Sequence, residues 1–171
     1  MDNKIIAPLR HLELVAKLVP VWKRNGDIRL CVDFIKLNRW SLKDNYPLPK
    51  MDHILQKVVG ASRISMMDEF FGYNQILVYE EDKKKVSFTM PWGMFMYDKM
   101  FFGLMNVGAN FQRDMDITFM GGREKFIIIY LDDMTIFSKS DEGHLDHLRQ
   151  VFLKCRKFSL SLNPKESFFA L

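Results

Sequence analysis

The feature that most constrains this chain is the segment Phe126-Ile127-Ile128-Ile129-Tyr130-Leu131-Asp132-Asp133-Met134-Thr135-Ile136-Phe137, in which two adjacent acids break an otherwise apolar run. The pattern reads as two apolar strands, Phe126 to Tyr130 and Met134 to Phe137, joined as a hairpin. Aspartate is a common turn residue, so a solvated turn accounts for a bare pair of this kind. A further acid in the same setting changes the reading, because Arg63 to Met67 forms another strand candidate and delivers Asp68 at its end. Carboxylates ~4 Å apart repel by roughly 4 kcal/mol at an effective dielectric near ~20, a large share of the ~5 to 15 kcal/mol that stabilises a domain. Divalent metal is the natural compensator, since Mg²⁺ is held by one or two carboxylates together with substrate phosphates. Successive side chains of a strand point to opposite sides, so the two acids are not equivalent, and Asp132 takes the primary role. That Asp68 meets the hairpin does not follow from these residues alone.

Around this hairpin, strands and helices mix within one α+β unit. Val15 to Val21, Asn25-Gly26 and Ile28 to Phe34 read as strand, turn and strand, because Asn-Gly tolerates the positive φ of a tight turn. Lys23 and Arg24 lie near its tip. Tyr46-Pro47-Leu48-Pro49 is extended, and a helix from about Met51 to Val59 follows, with Gly60 at the left-handed cap position. Ile76 to Tyr79, Val86 to Met90 and Phe95 to Met100 are further strand candidates, separated by the charged connector Glu80 to Lys85 and the turn Pro91-Trp92-Gly93. Asn106 to Met120 reads as a helix ended by Gly121-Gly122, with Val107, Phe111, Met115 and Thr118 on one face. Asp141 to Phe158 forms the last long helix, with Leu145, Leu148, Phe152 and Cys155 inward and Lys154, Arg156 and Lys157 at its negative dipole end.

Composition removes several classes of function. The longest apolar run is the six residues Phe126 to Leu131, far short of the ~18 needed for a membrane-spanning helix. The start, Met1-Asp2-Asn3-Lys4, lacks a basic region followed by an apolar one, so no secretory signal is expected. Cys31 and Cys155 form no CxxC pair; a disulfide framework or zinc ribbon is not expected, and both read as buried thiols of a reducing compartment. The 171 residues carry 25 Lys and Arg against 21 Asp and Glu, and the +4 excess lies at the N-terminal end. Such a region can meet a polyanion through phosphate contacts, a solvated basic surface being the alternative. His144 and His147 could share a helical face as a metal pair, but Asp141 and Asp146 beside them favour a solvated polar face.

The segments taken in order resemble the reverse transcriptase domain of gypsy-type LTR retrotransposons. Val19-Pro20-Val21-Trp22-Lys23-Arg24-Asn25-Gly26, Arg29-Leu30-Cys31-Val32-Asp33-Phe34 with Leu37-Asn38, and Asp44-Asn45-Tyr46-Pro47-Leu48-Pro49 match its fingers segment. Gly72-Tyr73-Asn74-Gln75-Ile76, Phe102-Gly103-Leu104, Phe111-Gln112, Tyr130-Leu131-Asp132-Asp133 and Leu162-Asn163-Pro164-Lys165 continue the match through the palm. The likeness runs from about Val15 to the C-terminus, so residues 1–14 are expected as a lead segment and 15–171 as the domain.

The resemblance implies an α+β fold with right-hand polymerase fingers and palm, the antiparallel palm sheet packed on helices, and no thumb. It implies an RNA-directed DNA polymerase that adds deoxynucleotides to a primer 3′ end, using two Mg²⁺ (or Mn²⁺) ions held by Asp68, Asp132 and Asp133. Lys23, Arg24 and Arg29 would then grip the incoming triphosphate, as guanidinium suits phosphate oxygens. Tyr73 would stack beneath the sugar and reject a 2′-hydroxyl. Phe102 and Gly103 would floor the nucleotide pocket, Lys165 would lie near the active site, and Gln112 near the template path. Expected partners are an RNA or DNA template with its primer and deoxynucleoside triphosphates, with no membrane. Thumb and ribonuclease H segments of a longer polyprotein would follow, and the setting would be intracellular, in a cytoplasmic virus-like particle or the nucleus. A catalytically inactive, nucleic-acid-binding remnant is the alternative. The sequence departs from the family at Glu69-Phe70-Phe71, which sets an extra acid beside Asp68 and a bulky ring near the sugar pocket. It departs again at Phe101 and at Val107-Gly108-Ala109-Asn110.

Overall fold

The computed structural model describes residues 5–11, 15–22, 26–70, 72–123 and 125–171, with Arg29 described through its backbone alone. Strands β1 (Ile6–Pro8), β2 (Lys17–Trp22) and β3 (Ile28–Asp33) precede helices α1 (Ile35–Trp40) and α2 (Met51–Val58). Strand β4 (Arg63–Glu69), a 3₁₀ turn (Gly72–Gln75), the short helix α3 (Glu80–Lys83), β5 (Ser87–Met90) and β6 (Gly93–Tyr97) follow. Helix α4 (Val107–Thr118), β7 (Ile127–Tyr130), β8 (Asp133–Ser138), α5 (Asp141–Lys157) and β9 (Leu162–Phe168) complete the order. The chain divides into two compact units, Met1–Asp44 with Tyr73–Val107, and Asn45–Gly72 with Gly108–Leu171.

In the first unit, β2 and β3 pair antiparallel from Lys17↔Asp33 to Trp22↔Ile28, the hairpin expected from the two strand runs flanking Asn25-Gly26. Gly26, in its loop, has φ +89°. Lys23, Arg24 and Asn25 lie outside the described residues. A second sheet runs in the order β1-β6-β5, so Ile6–Pro8 of the lead segment takes part in the sheet through Ile6↔Tyr97. Val32, Phe34, Val78, Val86, Phe88 and Tyr97 form the core, where the Phe88 and Tyr97 rings lie 4.8 Å apart and Tyr97 stacks on Phe101 at 4.4 Å. Ile76 to Tyr79 does not form the expected strand. It lies between the 3₁₀ turn and α3 and contributes one bridge, Leu77↔Lys99. The expected connector Glu80 to Lys85 instead opens as α3, whose first turn holds Glu80, Glu81 and Asp82, the sign that suits a helix N-terminus.

In the second unit, a four-stranded antiparallel sheet has the order β7-β8-β4-β9. Side chains alternate along β4, so Ser65, Met67 and Glu69 are buried on one face while Asp68 lies on the other. Met67, Ile127, Ile129, Met134 and Ile136 are each at most 2% exposed, which at about 1.5 to 3 kcal/mol per fully buried side chain makes this face the principal apolar layer of the unit. Helix α5 packs on β8 and β4. Its N-cap Ser140 accepts from the Gly143 N–H, and Lys154, Arg156 and Lys157 occupy its last turn. Its inward face is His144, Leu148, Val151 and Cys155 rather than the expected set, because Leu145 and Phe152 point outward. The solvated face expected for the histidine pair is also corrected. His144 is buried, with Ser65 Oγ 2.7 Å from its Nε2 and Ser138 Oγ 3.0 Å from its Nδ1, and Ser138 also meets His147 Nδ1 at 2.7 Å. Cys155 is buried and Cys31 half-buried, both free thiols.

Candidate active site

The second unit brings the expected carboxylates to one end of its sheet. Asp68 on β4 stands directly opposite Asp133 on β8, and directly opposed residues of an antiparallel pair share a face. Tyr130↔Asp133 closes the β7–β8 hairpin, which leaves Leu131 and Asp132 as its two turn residues, with Leu131 at φ +55°. The Asp132 carbonyl accepts from the Glu69 N–H at 3.3 Å, so Asp132 is held against the end of β4. Gly72 makes room for it: a Cβ there would stand 3.3 Å from the Asp132 Cβ, tighter than ordinary packing. On the far side of β4, Asn163 of β9 pairs with Asp68, and its Nδ2 donates to Asp68 Oδ2 at 3.3 Å.

The electrostatics follow from this crowding. Partial desolvation of its carboxyl, then the charges of Asp132 and Asp68, push the Asp133 proton affinity up although the residue as a whole is exposed. Glu69, 3% exposed, is pushed up to about 8 by burial and then by Asp132 and Asp68. Both Glu69 carboxyl oxygens are buried without a hydrogen-bond partner among the described residues. The parity of β4 carried the signal for this burial, since Glu69 falls in step with Ser65 and Met67.

The donor chemistry fits a hard divalent cation. Carboxylate oxygens are its preferred ligands, and the negative field that adds to burial in raising Glu69 and Asp133 is the field a cation would neutralise. No group of three or more His, Cys, Asp or Glu side chains among the described residues converges into a ready-made cage. Such a cage is not what Mg²⁺ requires when substrate phosphates complete its shell.

Gln112, expected near the template path, turns its side chain inward. It is fully buried; its Oε1 accepts from the Leu131 N–H at 2.8 Å and its Nε2 donates to the Ile129 carbonyl at 3.1 Å. Its amide supports the hairpin that carries Asp132. Lys165 is exposed on β9, in the stretch between the Asn163 and Phe168 pairings where the register with β4 shifts.

The first unit holds the other expected residues. Tyr73 is buried and meets Phe102 edge-on at 4.8 Å, while the Phe102 ring itself is largely exposed. Gly103 has φ +100°, a conformation that strains any residue with a Cβ, and a Cβ there would meet Phe34 and the Val32 carbonyl at 3.6 Å. Asn38 clamps this loop from both ends of its amide, donating to the Gly103 carbonyl at 2.7 Å and accepting from the Met105 N–H at 2.9 Å. The Arg29 backbone pairs with Val21. Lys23, Arg24 and Phe71 lie outside the described residues.

A family model described as reverse transcriptase (RNA-dependent DNA polymerase) matches residues 21–171. The enzymatic polyprotein of cauliflower mosaic virus (strain CM-1841) is 31% identical over 170 residues, which cover 98% of this chain and 25% of the polyprotein. The retrovirus-related Pol polyprotein from transposon 412 of Drosophila melanogaster is 34% identical over 142 residues, or 82% of this chain and 12% of that one. The chain thus spans a quarter or less of these two relatives. Among solved structures, the foamy viral protease-reverse transcriptase in complex with dsDNA superposes with a TM-score of 0.88 at 18% identity, covering 99% of this chain and 35% of that one. The same enzyme in complex with RNA/DNA hybrid gives 0.87 at 18% identity, over 96% and 22%. At this identity the likeness concerns the fold. No helix among the described residues is long and apolar enough to cross a membrane.

Proposed function

The chain belongs to the reverse transcriptase (RNA-dependent DNA polymerase) family, and from that membership we propose that it adds deoxynucleotides to a primer 3′ end on an RNA or DNA template. The observation that carries the reading is the pairing of Asp68 with Asp133 beside the Asp132 turn. Bound there, two Mg²⁺ or Mn²⁺ ions would favour ionisation of the primer hydroxyl and offset charge on the leaving oxygens. The chain's own residues have the remaining tasks. Asp68 and Asp132 supply the ligand oxygens, and Asp133, on the same face as Asp68, adds negative potential that retains cations. Asn163 restrains the Asp68 carboxylate through its donated hydrogen bond. Lys165 is assigned to phosphate charge near the same sheet edge.

In the first unit, Tyr73 and Phe102 offer an aromatic pair, to which the reading gives contact with the nucleotide sugar and exclusion of the 2′-hydroxyl. The bend at Gly103 would let backbone approach the nucleotide closely. Lys23, Arg24 and Arg29 take the triphosphate, where cations are worth most. The domain reading over 15–171 is supported by the span of the family match.

Primer extension by the purified chain with Mg²⁺ or Mn²⁺, on matched RNA and DNA templates, tests the proposal. Extension that vanishes in Asp132→Asn and Asp68→Asn is the expected result. Binding of primer-template with no extension by the wild-type chain would favour the inactive remnant instead.

A further inference from the structure

Helix α4 carries a second buried polar residue one turn beyond Gln112. Asp116 is 5% exposed, and its Oδ1 accepts from Gln112 Nε2 at 3.1 Å. Its Oδ2 accepts from the Tyr46 hydroxyl at 2.7 Å and from Arg123 Nη1 at 3.0 Å. The connection is continuous from Tyr46 and Arg123, through Asp116 and Gln112, to the Ile129 carbonyl and the Leu131 N–H. The Gln112 amide has one orientation compatible with all of these partners. Its two N–H groups meet two acceptors and its oxygen meets a donor, so a flipped amide would lose all three bonds.

The recipient is the least self-sufficient part of the hairpin. Leu131 sits at φ +55°, a conformation that disfavours any residue with a Cβ, and its neighbour in the turn is Asp132. We propose that Asp116 and Gln112 are positioning residues for Asp132, fixing the hairpin turn so that its carboxylate meets a divalent cation shared with Asp68. The inference rests on the reading of Asp132 as a metal ligand given above. Asp116 acts through its fixed negative charge: it orients the Gln112 amino group, while Arg123 and Tyr46 hold Asp116 from the other side. A buried acid on α4 serves the site without touching substrate. The geometry is demanding, because a misplacement of about 1 Å in a catalytic group can cost on the order of 100-fold in rate.

The test uses the full chain and two variants. Gln112→Met keeps the side-chain length and removes all three hydrogen bonds; Asp116→Asn keeps an acceptor for Gln112 and loses the charge that meets Arg123. In Gln112→Met, hydrogen exchange at the Leu131 amide should accelerate about tenfold while Leu148 and Val151 on α5 keep wild-type protection. The Mn²⁺ concentration that half-broadens the Asp132 and Asp133 amide resonances should rise about tenfold, as should the Mn²⁺ midpoint of primer extension. Asp116→Asn should move the same readouts in the same direction by a smaller factor, and it decides the matter if Gln112→Met does not fold. Wild-type protection at Leu131, or a lower amplitude of extension at an unshifted Mn²⁺ midpoint, overturns the inference. A wild-type chain that extends no primer sinks the polymerase reading instead, and the exchange and broadening measurements still judge the positioning role.

Discussion

Replacing Glu69 by glutamine should make the protein more stable at pH 8 and leave it nearly unchanged at pH 5. Glu69 is pushed up from 4.5 to about 8, first by burial and then by Asp132 and Asp68. Below pH 4.5 the carboxyl is protonated whether the chain is folded or not, so it adds no pH dependence there. Between pH 4.5 and 8 the unfolded chain ionises while the native state keeps its proton, and the stability of wild type falls as pH rises. At ~1.4 kcal/mol per pKa unit the full fall is on the order of 3 to 5 kcal/mol, a large part of the ~5 to 15 kcal/mol that holds a domain together. Glutamine has the same shape and cannot ionise, so the difference between the two proteins isolates this one group. Urea unfolding at pH 5, 6, 7 and 8 in the presence of a chelator should show the curves diverging, with Glu69→Gln the more stable at the alkaline end. Added Mg²⁺ should offset the repulsion from Asp132 and Asp68 and shrink the divergence, without abolishing the part due to desolvation. Parallel curves from pH 5 to 8 would refute the reasoning, since Glu69 would then ionise as readily in the folded protein as in the unfolded one.

Ile136→Ala should cost about 2 to 5 kcal/mol in urea unfolding, because the side chain is fully buried in the apolar layer of the second unit; a loss below about 1 kcal/mol would mean that the layer is loosely packed. Gly103→Ala should destabilise by about 1 kcal/mol or more, since the backbone is at φ +100°, and an unchanged melting temperature would contradict that conformation. Where extension is measurable, Tyr73→Ala should raise ribonucleotide over deoxynucleotide incorporation, each ~1.4 kcal/mol of lost discrimination relaxing the ratio tenfold. An unchanged ratio in competition assays would make Tyr73 a packing residue of the Phe102 pair.

Elements whose own residues carry their cause were legible. The β7–β8 hairpin follows from apolar strands broken by two acids, α2 is followed by Gly60 at φ +83°, and α5 carries Lys154, Arg156 and Lys157 in its last turn. The face of α5 was not, because Leu145 and Phe152 outrank His144 in hydrophobicity, yet His144 is buried where Ser65 and Ser138 satisfy both ring nitrogens. Strand β9 was legible only as a motif, since Pro164, Lys165 and Glu166 show no alternation and the register shifts there. Within the site, strand parity singled out Asp132, whereas the acid directly opposite Asp68 in the sheet is Asp133 and Asp132 lies in the two-residue turn, a placement that depends on where the hairpin closes. The role of Gln112 could not be read locally, because two of its partners are backbone groups 17 and 19 residues away.

The placement of β4 bears on the order in which the chain acquires structure during synthesis. Met1–Asp44 and Tyr73–Val107 make up one unit, so that unit is complete once residue 107 has emerged from the ribosome. Strand β4 is made earlier, and both of its partners, β8 and β9, come after residue 132. At ~5 to 20 residues per second of translation, a central strand with Ile64, Met66 and Met67 stands for seconds with two open edges. Open edges of that kind recruit other chains. The nascent protein is therefore most exposed to edge-to-edge misassembly between the emergence of Glu69 and that of Ser138, when neither partner strand of β4 is yet complete.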